Sequence, residues 1–464
     1  MLQSQVINVL PRRILAGLWS SQETRVSLTH LSSVVAASKN NNNNTSTNNN
    51  NNISQQHNNE SVLPAASAPS FLCSELPVRY THILRLLSTL SPDALQSPII
   101  RNVAHSYLHD ICTLLHPSLQ GTSPRAFRTM LTKLQQRQAT NLIRLRYALS
   151  NSTLLDNINT IGFGIQLLLD QHLSWSNQDG NEAQVVCPVT IAKQAIEDAR
   201  QAYASALGSQ QEIPDIQLQP RIETELTYIP NVLHRVLYET SLMALRAKIS
   251  HQQQPASLTQ NGSWLKRTWN QFRGVQQQQE GIVLQVFGGP TSVGFRLNTD
   301  IPLLPSDLLP DVPRDPLGIP TCARILGQTS DTEIHTRQEE SSHPTSVWEV
   351  MSGWRSAKVL ASHYGGNLDV MSVDGLGASV YLALDRDASL LERYPSRTLA
   401  TAHKMLLRHH GRAAAAATPA LTLQTAQIQL DTFITAISHD PQTPERFYNP
   451  HHHSVSLSAA VGHA

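Results

Sequence analysis

The chain has 464 residues, with 35 basic and 34 acidic side chains, 40% hydrophobic and 5% aromatic. That length sets two or three domains as the expectation, and the near-neutral charge gives no global attraction to nucleic acid or to an acidic partner. No run of 18 apolar residues reads as a membrane span, and Cys73, Cys112, Cys187 and Cys322 stand apart with no C-x-x-C pair, as free thiols of a reducing compartment do.

Residues 1–40 carry Arg12, Arg13, Arg25 and Lys39 against one acid, Glu23, around the apolar stretch VINVLPRRILAGLW. That balance predicts an amphipathic mitochondrial presequence. The asparagine tract at 40–60 cannot bury a core, so 40–70 is expected to be a disordered linker.

Residues 76–220 read as helices. VRYTHILRLLSTL places Ile83, Leu86, Leu87 and Leu90 on one face before Ser91-Pro92 ends it. SPIIRNVAHSYLHDICTLL repeats the spacing with Ile100, Val103, Tyr107, Ile111 and Leu114, and FRTMLTKLQQRQATNLIRLRYALS and IGFGIQLLLDQHL continue it. Such a run argues a four-helix bundle.

Tyr228–Ile249, YIPNVLHRVLYETSLMALRAKI, is the stretch around which the remainder is organised. Leu233, Val236, Leu237, Thr240, Ala244 and Ala247 form an apolar stripe at helical spacing, while Glu239, Met243 and Arg246 follow a second line. Polar residues 252–280 interrupt the chain next. From Gly281 the period changes: Val283/Val286 and Val293/Phe295/Leu297 flank a Gly-Gly-Pro turn, one residue out of strict alternation on the first arm. A polar stretch at 328–344 precedes a helix ending at Gly365-Gly366, and Leu368/Val370 and Val380/Leu382/Leu384 form a second hairpin around Asp374-Gly375-Leu376-Gly377. Strand pairs with helices on one face make an α/β sandwich over 221–385. Residues 386–464, with an alanine run and the His451–His453 cluster, read as a partly disordered extension.

YIPNVLHRVLYETSLMALRA resembles the nucleotide-binding helix of the mitochondrial pyruvate dehydrogenase kinase and branched-chain ketoacid dehydrogenase kinase family. That family reads Tyr-Val-Pro, then Phe-Glu-Leu, then Lys-Asn-Ala-Met-Arg-Ala. The bundle carries the likeness too: Arg79 with His82, and Ile161-Gly162 followed by Leu167 to His172, resemble its opening helix and its Gln-His motif. The resemblance implies an α + α/β chain, a helical bundle followed by the ATP-binding domain shared by histidine kinases and the Hsp90 chaperone. It also implies that Glu239 is the base on a substrate serine and that His172 is structural.

The same resemblance locates the ligand boxes. The Mg²⁺-holding Asn of the family is Met243 here, whose soft thioether does not ligate a hard cation. The adenine-reading Asp is Thr299, followed by Asp300, and the glycines after it are Ile301, Pro302 and Leu303. Of the second box, which meets phosphate, Gly353 remains, with Arg355 and Lys358 nearby. The last box keeps Gly375 and Gly377, while its phosphate-bonding Thr is Ala378, with Ser379 as a substitute. Losing one charge-assisted contact costs on the order of 1.5–3 kcal/mol.

Two readings follow. One is a mitochondrial matrix protein-serine kinase using ATP and Mg²⁺. By resemblance it phosphorylates the decarboxylase subunit of a dehydrogenase complex, docks on the lipoyl domain of its core and dimerises through the ATP-binding domain. The other is a catalytically inactive member acting as scaffold or dimer partner of an active kinase.

Overall fold

The computed structural model describes residues 11–32, 69–177, 182–207, 213–221, 225–253, 281–303, 352–373, 376–399 without Arg397, and 422–438. In chain order the longer elements are helices α1 (Arg12–Ser20), α2 (Pro69–Leu87), α3 (Pro98–Leu115), α4 (Pro124–Ala148) and α5 (Ser152–Asn177), then strand β1 (Gln184–Val186), α6 (Pro188–Leu207), β2 (Ile216–Pro220) and β3 (Leu226–Tyr228). They continue with α7 (Pro230–Gln253), β4 (Ile282–Gly288), β5 (Ser292–Thr299), α8 (Trp354–Ser362), β6 (Asn367–Val373), β7 (Gly377–Asp385) and α9 (Leu423–Ser438). The described residues up to 25, from 69 to 173 and from 394 onward cluster as a helical unit; 26–32 and those between 174 and 393 form a second unit built on a sheet.

The helical unit follows the sequence periodicity. Ser97-Pro98 and Ser123-Pro124 start α3 and α4 with proline at the first helical position, where its missing N–H costs nothing, and the Ser123 hydroxyl accepts from the Ala126 N–H. The expected stripe Ile100, Val103, Tyr107, Ile111 and Leu114 is buried. His172 is buried with its ring edge-on to Phe127 at 5.7 Å, a packing position.

The charged row of α2 is also buried. Glu75 and Arg79 pair at 2.9 Å, Glu75 accepts from the Thr24 N–H, and Arg79 donates to the Thr24 carbonyl. One turn on, the His82 Nε2 lies 3.0 Å from the Ser21 carbonyl and its Nδ1 lies 2.7 Å from the Tyr394 hydroxyl. A carbonyl only accepts, so Nε2 carries a proton; the burial that disfavours the charged ring leaves Nδ1 to accept from the tyrosine hydroxyl near neutral pH. Burial lowers the His82 pKa to about 4. Arg85 donates to the Leu399 carbonyl.

These contacts move the boundary expected at residue 40. Residues 12–20 form a helix whose Leu15, Ala16 and Trp19 are buried; the Trp19 indole donates to Gln429 and faces Phe433 on α9 at 5.9 Å. In the sheet unit, residues 26–29 join 388–392 through Val26 N–H to Glu392 and Thr29 N–H to the Ala388 carbonyl. A basic amphipathic helix has the same sequence signature whether it addresses an organelle or covers a core, so the segment was legible as a helix and not as part of the body. The extension after 386 likewise contributes α9, with Leu430, Phe433, Ile434 and Ile437 buried. The asparagine tract, the polar stretches 254–280 and 328–344, the alanine run and the His451–His453 cluster lie outside the described residues.

The sheet has the order β2-β4-β5-β7-β6, with β2 parallel to β4 and the other pairs antiparallel. Helix, hairpin, helix, hairpin is the order expected of the ATP-binding domain, and the α + α/β architecture stands. The bundle boundary at 220 does not: α6 clusters with the sheet unit and packs on α7, where Asp198 meets His234 at 2.9 Å. The first hairpin resolves its irregular spacing. Leu284 pairs with Leu297 and Val286 with Phe295, so the inward set is Ile282, Leu284 and Val286, and Val283 takes the opposite parity opposite Asn298. The sequence reading missed the short polar strand β2 altogether.

Candidate functional site

Helix α7 carries the expected stripe: Leu233, Val236, Leu237, Thr240, Ala244 and Ala247 are all buried. On its second line Glu239 is tied twice. Arg235, one turn earlier, forms an ion pair with one carboxylate oxygen, and the other accepts the Gly353 N–H at 2.8 Å. Gly353 stands at the N-terminal end of α8 with φ of 92°, a conformation L side chains avoid. Its N–H, which the phosphate-binding reading reserves for a ligand, is spent on Glu239. Met243 is 4% exposed, and Arg246 beyond it is half-buried.

The residues of the first box gather at the end of β5. Thr299 points inward by strand parity, is buried, and its hydroxyl accepts the Ile301 N–H at 3.3 Å. Asp300 follows the strand's end, and both its oxygens lie 2.7 Å from the Lys248 ammonium on α7. It is therefore engaged by a cation of its own chain, and a slip that brings it to adenine would break that pair. Ile301 and Leu303, which stand where glycines are expected, are buried, and the Leu303 N–H is caught by the Ser372 hydroxyl at 2.8 Å. The chain packs apolar side chains where a glycine cradle leaves room for a ligand.

Gly377 belongs to this cluster. Its φ is 101°, and a Cβ there would meet the Thr299 carbonyl oxygen at 2.1 Å, so this glycine is required by the close passage of the 299–300 backbone. Ala378 is the register partner of Thr299, inward and buried. Ser379 is not a substitute for the missing threonine: successive side chains alternate faces, and its hydroxyl bonds Asn298 and Arg296 on the outer face. Lys358, offered by the sequence as a phosphate attractor, pairs with Asp369 at 2.7 Å; its hydrogen bond holds that carboxyl below the usual range. Gly375 lies outside the described residues.

The structure thus brings Glu239 to Gly353, and Thr299, Asp300, Gly377 and Ala378 to one another, with α7 touching both groups. It also adds Arg235 and Lys248, which the sequence reading passed over. Arg235 carried a signal, the i, i+4 spacing to Glu239. Lys248 carried none, since its partner lies 52 residues away and about half a turn separates it from Glu239 around the helix. The donor set does not fit a hard divalent cation: Met243 offers sulfur, Glu239 is occupied, and among the described residues no three His, Cys, Asp or Glu side chains cluster as metal ligands.

Residues 51–187 match the family model of mitochondrial branched-chain alpha-ketoacid dehydrogenase kinase. Over 348 residues the chain is 22% identical to the mitochondrial [pyruvate dehydrogenase (acetyl-transferring)] kinase of Arabidopsis thaliana, covering 70% of this chain and 86% of the relative. Along these stretches the chain is similar to mitochondrial ketoacid dehydrogenase kinases. A histidine kinase from Burkholderia phymatum, known by crystal structure, is also similar, with a TM-score of 0.27 and 13% identity over 57% of this chain and 99% of its own. Among the described residues no helix is long and apolar enough to cross a membrane.

Proposed function

We propose that this relative of the ketoacid dehydrogenase kinases acts in the mitochondrial matrix, at a pyruvate or branched-chain ketoacid dehydrogenase complex, as a non-phosphorylating partner of an active kinase. One observation carries the reading: Glu239, which would have to take the serine proton, is held by Arg235 and by the Gly353 N–H. Protonating a carboxylate so engaged weakens two charge-assisted contacts, which makes it a poorer base. The Lys248–Asp300 pair and the buried Ile301 and Leu303 argue in the same direction for adenine, and the thioether of Met243 for Mg²⁺. The retained scaffold role would use the contacts the resemblance implies: the lipoyl domain of the core as docking site, and a second chain, the same or a related kinase, against the ATP-binding-type domain. Among the described residues, the outer face of the sheet exposes Met371, Val373 and Tyr381, an apolar surface that such a dimer would use.

The second reading, a protein-serine kinase that phosphorylates the decarboxylase subunit with Mg-ATP, is favoured by the survival of Glu239 and of Gly353 and Gly377 in their positive-φ conformations. The two part in one assay. The full chain is incubated with decarboxylase subunit and γ-labelled Mg-ATP, alone and with an active kinase. The proposal expects no label from the chain alone and an altered rate when it accompanies the active kinase. Label that appears with the chain alone and vanishes in Glu239→Gln makes the chain a kinase.

A further inference from the structure

Independent of that reading, we infer that the groove between α3 and α4 is a docking site for an acidic, extended segment of a partner protein. Helix α4 has six cations and no acid in 25 residues. Arg128, Arg144 and Arg146 each have a partner already; Arg146 is buried over the Phe163 ring. The other three, Arg125, Lys133 and Arg137, front one open cavity of about 540 Å³ together with His109 and Thr113 of α3.

Asp110 is fully buried and 2.6 Å from Arg137, so it neutralises that arginine in part, while Arg125 and Lys133 face solvent. Among the described residues no acid lines the cavity itself. From Arg125 to Arg137 the cations span about 18 Å of helix. That is too long for one small anion, and it matches several carboxylates spread along a peptide. Met130, between them, supplies an apolar contact for a side chain interleaved with the acids. Among the described residues no Phe, Tyr or Trp lines the groove and His109 is its one ring, so it lacks the row of stacking platforms with which single-stranded nucleic acid is held.

The test uses the full chain and a fluorescein-labelled peptide of Glu-Ala repeats around one central Leu, followed by anisotropy. Binding is expected, weakening as salt rises from roughly 0.05 to 0.3 M because exposed pairs are screened. The double reversal Arg125→Glu/Lys133→Glu, both on exposed positions, should weaken it about tenfold, while Lys193→Glu on α6 leaves it unchanged. Circular dichroism checks that the reversed chain stays folded. Four results would overturn the inference: no binding by the wild type, equal binding by the double reversal, equal binding of the Gln-for-Glu peptide, or displacement by oligouridylate as effective as by unlabelled acidic peptide.

Discussion

Two helices of this chain, α2 in the helical unit and α7 in the sheet unit, each carry a row of charged and polar side chains, and they have been put to comparable use. On α2, Glu75, Arg79, His82 and Arg85 reach main-chain groups of residues 19–24 and 399, and all four are buried. On α7, Arg235, Glu239 and Lys248 reach Gly353 and Asp300 and stay partly accessible. The first row is structural by position. The second lies where the proposed reading expects a nucleotide, yet its bonding is of the same kind. A polar row already satisfied within the chain would compete with any ligand offered to it.

The largest expected effect lies in the helical unit. Trp19→Ala removes a fully buried indole and its bond to Gln429, and should cost about 3–5 kcal/mol in denaturant unfolding of the full chain. If residues 11–25 belonged to a removable leader, the loss would be negligible.

Acid should act on α2 through His82. The folded His82 pKa is lowered to about 4 from 6.5. Between those values the unfolded chain binds the extra proton, so stability rises with pH across the window and is lost as pH falls from 6.5 toward 4, by up to about 3 kcal/mol. Glu75, whose pKa burial raises against the pull of Arg79, works in the opposite sense. The difference between wild type and His82→Asn across pH 4 to 6.5 therefore isolates the histidine; parallel curves would mean that His82 titrates normally.

Smaller effects are expected on α7. Asp300→Asn weakens the Lys248 pair, which is only partly buried, and should cost about 1 kcal/mol in thermal unfolding. Arg235→Gln should cost a comparable amount or less, because Glu239 keeps the Gly353 N–H. Losses several times larger would show that this row is as structural as that of α2, and the comparison would need redrawing.

The sequence disclosed what depends on short-range period. The stripe of α7, the helices of the bundle and both hairpins follow from spacings of 3.6 and 2, and the missing glycines at 301–303 were visible as residue types. What it hid depends on distance or parity. Ser379 looked like a neighbour able to replace Ala378, but one step along a strand turns a side chain to the other face. Lys248 and Asp300, and Trp19 and Gln429, meet across 52 and 410 residues, and nothing local announces either pair. The five residues of β2, IQLQP, are too polar and too few to read as a strand that pairs in parallel.

Thermal unfolding of the full wild-type chain, followed as Mg-ATP is raised to several millimolar, tests most directly the proposal that the α7 row leaves no room for a nucleotide. A ligand bound by the native state alone raises the midpoint by mass action. The account predicts an unmoved midpoint. A concentration-dependent rise in the wild type would contradict it and return Glu239 and Asp300 to a working pocket.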